Sequence, residues 1–108
     1  MFKITNNIST VEFMNTQVRV ILLTIFREIV GKKEIIVEVS TKSMPSLKDL
    51  LDELANRYGR DFQKIVEPKT GVISSEFIVS VNNVFVTDTG IKLNTNDIIM
   101  IGTPVGGG

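Results

Sequence analysis

The chain has 108 residues, 43% hydrophobic and 22% charged, which predicts one soluble domain with a packed core. Lys plus Arg number 12 and Asp plus Glu number 12, so the chain lacks the basic surplus expected of a nucleic-acid binder. With no Cys and no His, disulfides, thiolate metal sites, iron–sulfur sites, a Cys nucleophile and a His general base are all excluded.

Residues 1–16 are polar, rich in Asn and Thr, and hold no apolar run of signal-peptide length. They read as an N-terminal extension, followed by a domain over 17–102 and a flexible tail over 103–108. The apolar stretch 18–26 is too short to span a bilayer, and the expected location is the cytoplasm. Residues 17–24 read as a strand with apolar residues on both faces, since Val18, Val20 and Leu22 alternate with Ile21 and Leu23. A short turn or helix from Phe26 closes at Gly31. Residues 34–40 alternate, with Ile35, Val37 and Val39 on one face and Glu34, Glu38 and Ser40 on the other.

A helix is predicted from Ser46, which caps it with help from Asp49. Leu47, Leu50, Leu51, Leu54 and Tyr58 recur at helical spacing, and Gly59 ends the run. Asp49, Asp52 and Glu53 read as part of its solvated face, and no metal site is expected. A second short turn carries Phe62, Ile65 and Val66. Residues 77–81 and 84–86 read as strands joined by a tight Asn82-Asn83 turn. Residues 94–97 turn the chain into a last strand, 98–101. Two strands, a crossover helix and returning strands predict an α+β, β-grasp arrangement: one helix across a mixed sheet, with the last strand parallel to the first. On the sheet face opposite the helix, Ile36, Ile98 and Met100 are candidates for a partner surface, or for burial under residues 1–16.

The ending, Thr103-Pro104-Val105-Gly106-Gly107-Gly108, is the unusual feature. Glycine makes up about 7% of ordinary composition, so three adjacent terminal glycines rarely arise by chance. Without Cβ atoms they can thread a slot too narrow for any side chain. Six residues extend about 20 Å at roughly 3.3–3.6 Å each, enough to enter a partner's active site while the domain stays outside. A terminal carboxylate, with a reference pKa of about 3.3–3.7, is an anion at neutral pH and a poor electrophile until ATP converts it to an acyl-adenylate. The groups that do this must belong to a partner.

The sequence resembles the small subunit of molybdopterin synthase. More widely, it is similar to the sulfur carriers for thiamine and tRNA thiolation and to the archaeal ubiquitin-like modifiers. The likeness covers about residues 17–108. It rests on Phe26-Arg27-Glu28-Ile29-Val30-Gly31, the leucine-faced helix closing in Arg57-Tyr58-Gly59, Val81-Asn82, Asn96-Asp97, and the final Pro104-Val105-Gly106-Gly107-Gly108. The resemblance implies that Gly108 carries the adenylate and then a thiocarboxylate, while Pro104, Val105, Gly106 and Gly107 form the threading tail. It implies an E1-like adenylating enzyme that uses ATP and a larger synthase subunit that receives the sulfur. The chain itself binds no cofactor and is not catalytic alone. A protein modifier joined through Gly108 to target lysines, a sulfur carrier for thiamine or tRNA, and a binding-only β-grasp module are the alternatives. Asn96 stands where the family usually has Gly, Thr103 replaces the first of two usual prolines, and Gly102 replaces a large apolar residue. The last two changes are expected to loosen the root of the tail.

Overall fold

A computed structural model describes residues 13–104. Residues 1–12 of the expected extension, and Val105, Gly106, Gly107 and Gly108 of the expected tail, lie outside the described residues. β1, Met14–Leu22, buries Thr16, Val18, Val20 and Leu22 and exposes Asn15, Gln17 and Arg19, the period-two pattern of a strand covered on one face. It begins at Met14 rather than Gln17, because Met14, Asn15 and Thr16 pair with Thr41, Ser40 and Val39. Thr24, expected in this strand, instead opens α1, Thr24–Val30. α1 buries Phe26 and stops at Gly31, whose φ of 83° is a left-handed conformation that costs glycine no Cβ clash. β2, Glu34–Thr41, then returns antiparallel to β1 with Val37 and Val39 buried.

α2, Leu47–Tyr58, begins as its residues predict. The Ser46 hydroxyl accepts from the Asp49 amide at 3.2 Å, and the Asp49 carboxylate accepts from the Ser46 amide at 2.8 Å. This reciprocal pair satisfies two amides that have no partner inside the helix. Leu47, Leu50, Leu51 and Leu54 are buried on one stripe. Each fully buried leucine contributes about 1.5–3 kcal/mol, so packing rather than propensity holds the helix in place. A 3-10 helix, Arg60–Ile65, follows and buries Phe62 and Ile65. The Phe26 ring lies 4.9 Å from that of Phe62 and 5.8 Å from that of Phe77, closing one end of the core.

β3, Ile78–Val81, and β4, Val84–Phe85, are joined by Asn82 and Asn83, with φ of 52° and 71°. Two successive left-handed residues match the twist of a tight hairpin. Asn96, with φ of 73°, turns the chain into β5, Ile98–Gly102, a left-handed conformation that asparagine tolerates. Among the described residues, five strands lie in the order β2-β1-β5-β3-β4. β5 is parallel to β1 and antiparallel to β3. A parallel neighbour requires a crossover, which α2 supplies on the inner face. The result is the expected β-grasp fold.

Gly102 is buried, and a Cβ there would stand 2.9 Å from Leu23 Cβ. Gly102→Val is expected to lower the unfolding free energy in urea by about 1–3 kcal/mol, the usual cost of overpacking. Leu23→Gly in the same chain removes the Cβ that clashes and should recover part of that loss. Undiminished stability in the single variant would mean that the strand yields freely at this point.

Candidate functional site at the root of the tail

The tail leaves the domain from the end of β5, the central strand of the sheet. Three contacts set its exit. The Leu23 amide donates to the Ile101 carbonyl at 2.9 Å, extending the parallel ladder by one bond. The Leu23 side chain lies against Gly102 and fills the space that a large residue would need. The Thr103 amide then donates to Thr24 Oγ1 at 3.2 Å, and the Thr103 hydroxyl donates to the same oxygen at 3.1 Å. Thr24 Oγ1 in turn donates to the Leu23 carbonyl at 2.7 Å. A hydroxyl offers one proton and two lone pairs, so all of its capacity is used.

These contacts correct the expectation that Gly102 and Thr103 loosen the root. Leu23 takes up the volume that Gly102 gives away. Thr103 has an amide that a proline lacks, and Thr24 supplies its acceptor. Thr24 has φ of 52°, an uncommon conformation for a β-branched residue that costs on the order of 1–3 kcal/mol. Pro104 is exposed immediately beyond this knot.

The sheet face turned away from α2 runs up to the same point. Arg19 pairs with Ile36 on one side and Ile98 on the other, so these three residues form one row across three strands. The next row runs Glu34, Ile21, Met100, Ser80 and Phe85. The third contains Ile78 beside Gly102. All three expected partner-surface residues, Ile36, Ile98 and Met100, therefore share this face. Ile36 is 49% exposed and Ile98 36%, whereas Met100 is half-buried. Phe85 is 73% exposed, and the sequence reading missed it. Its signal was present: a two-residue turn at Asn82-Asn83 places Phe85 opposite Ser80, and hence on the face of Met100.

Arg19 Nε lies 2.9 Å from Glu34 Oε2 on this face. Both side chains are about half exposed, so the pair is worth about 0–1 kcal/mol and sets a charged spot beside Ile36, Ile98 and Met100. The start of β5 is braced from the other side. The Ile98 amide donates to Asn82 Oδ1 at 2.9 Å, and Asn82 Nδ2 donates to Asp97 Oδ1 at 2.9 Å. Asp97 also accepts from the Asn94 amide at 2.8 Å. The Val81-Asn82 and Asn96-Asp97 motifs are thus two halves of one bracket. Among the described residues, no three His, Cys, Asp or Glu side chains group as metal ligands, and no helix is long and apolar enough to cross a membrane.

Solved structures share this architecture. The Haloferax volcanii HVO 2177 protein superposes with a TM-score of 0.70 at 23% identity, covering 87% of this chain and 88% of that one. A Pyrococcus furiosus protein described as a candidate molybdopterin converting factor, subunit 1, gives 0.66 at 22% identity, covering 83% of this chain and 99% of that one. Small archaeal modifier protein 1 from Methanosarcina acetivorans gives 0.64 at 21% identity, covering 88% of this chain and 99% of that one. At such identities these likenesses establish the fold alone. A comparison with curated protein sequences returned no match. The family model, in contrast, runs from within β1 to the last glycine, matching residues 20–108, and the chain belongs to the ThiS family.

Proposed function

We propose that the chain is a sulfur carrier, the small subunit of a molybdopterin synthase, loaded at the carboxylate of Gly108. The observation that carries this reading is the placement of the glycine-ended tail: it starts from the central strand beside an apolar sheet face. A partner that docks on that face receives the tail in its active site. In the first step a Gly108 carboxylate oxygen attacks the α-phosphorus of ATP, forming the acyl-adenylate and expelling pyrophosphate. Hydrosulfide then attacks the acyl carbon, AMP leaves with the bonding pair, and loss of the sulfur-bound proton leaves a thiocarboxylate. The E1-like enzyme supplies the catalytic groups for both steps, consistent with a chain that has no Cys and no His. The larger synthase subunit would take the sulfur for the dithiolene of the molybdenum or tungsten cofactor.

A second reading is supported by the likeness to small archaeal modifier protein 1. A lysine amine of a target protein attacks the same adenylate-derived acyl group, giving an amide through Gly108. The two readings share the loading step and differ only in the nucleophile that follows. Tail-dependent high-mass conjugates on a denaturing blot would favour the modifier.

Adenylation is tested by ATP–pyrophosphate exchange with the adenylating enzyme. Exchange should require this chain and should disappear when Gly107 and Gly108 are deleted, with the melting temperature unchanged. Equal exchange by the truncated chain would refute loading at this end. Met100→Lys places a charge in the middle of the apolar face. It is expected to weaken binding to the adenylating enzyme about tenfold or more, the scale of a central interface contact, without unfolding the chain. Unchanged affinity would remove that face from the account.

A further inference from the structure

We infer that Thr24 is a positioning residue: its hydroxyl latches Thr103 and fixes the direction in which the tail leaves the sheet. The inference rests on the reading of the tail as the loaded end. The two residues lie 79 positions apart in the chain, yet Thr24 Oγ1 takes both the amide and the hydroxyl of Thr103, at 3.2 and 3.1 Å. No other polar atom is hydrogen-bonded to the Thr103 amide among the described residues. Thr24 is held at φ 52° in making this contact. It opens α1, whose preceding residue, Leu23, offers no side-chain cap. The hydroxyl therefore serves the tail and the Leu23 carbonyl rather than the amides of its own helix. A strained residue whose polar group is spent on the root of a functional segment is a mark of preorganisation.

The latch restricts the root without a proline. A proline at 103 would limit the root through its ring. Here a freely rotating residue is limited by two hydrogen bonds to one oxygen. Prior restriction lowers the ordering entropy that a partner must offset when it grips the tail.

Three variants and two readouts test this. Thr24→Gly relieves the positive φ and deletes the hydroxyl, so its melting temperature should equal or exceed that of wild type. Its Thr103 amide should nevertheless exchange with solvent faster. In loading assays its KM should rise about 3- to 10-fold, the scale of one or two neutral hydrogen bonds, with kcat little changed. Thr24→Ser keeps the hydroxyl and should restore both slow exchange and KM. Thr103→Pro in the Thr24→Gly background removes the amide that needs an acceptor and should restore KM. The proposal is overturned if Thr24→Gly leaves Thr103 exchange unchanged, or speeds exchange while KM stays at the wild-type value. Failure of the wild-type chain itself to load would instead remove the carrier reading, and the exchange comparison would still decide whether the latch exists.

Discussion

The parallel pairing of β1 with β5 is the constraint on which the molecule depends. Arg19 to Leu22 lie beside Ile98 to Ile101, so the first strand of the domain and its last share a ladder at the middle of the sheet. A parallel pair cannot be closed by a tight turn. It needs the connection that α2 provides, and α2 lies across the inner face with Leu47, Leu50, Leu51 and Leu54 buried. On the other face, Ile36, Ile98 and Phe85 stand exposed among the described residues. The same pairing brings α1, which directly follows β1, against the end of β5, so Leu23 and Thr24 meet Gly102 and Thr103. Core, outer face and tail root are therefore consequences of one topological choice.

The root of the tail illustrates how residues far apart in sequence compensate one another across a contact. A glycine in a buried strand ordinarily weakens it, but Leu23 closes over Gly102. A threonine leaves the backbone freer than a proline would, but Thr24 binds it. Neither residue is interpretable from its own position. Together they keep a firm junction between a rigid sheet and a segment with almost no side chains. A firm junction matters because the tail's glycines are costly to order on binding.

Local features were legible in the sequence because their physics is local. Ser46 and Asp49 stand at capping-box spacing, and the leucines after them repeat at the period of a helix. Asn82, Asn83 and Asn96 mark turns because asparagine tolerates positive φ. The alternation at Ile35, Val37 and Val39 disclosed a covered face. The start of β1 was hidden because Asn15, Thr16 and Gln17 form a polar run, and only pairing with β2 makes them a strand. Thr24 was read as strand because it follows an apolar run without a helix-start signal. Its bond to Thr103 is a long-range contact that no sequence window contains. The terminal glycines gave the functional signal, since a run without Cβ atoms can thread a slot too narrow for other residues.

The central claim concerns one covalent change at one atom. Intact-mass analysis of the chain after incubation with its adenylating enzyme, ATP and a sulfur donor reads that change directly. Exchange of one oxygen for sulfur adds about 16 Da, and fragmentation should place the gain on Gly108, as the acyl chemistry requires. A chain recovered at its original mass under conditions where the enzyme consumes ATP, or a sulfur found on any other residue, would contradict the account.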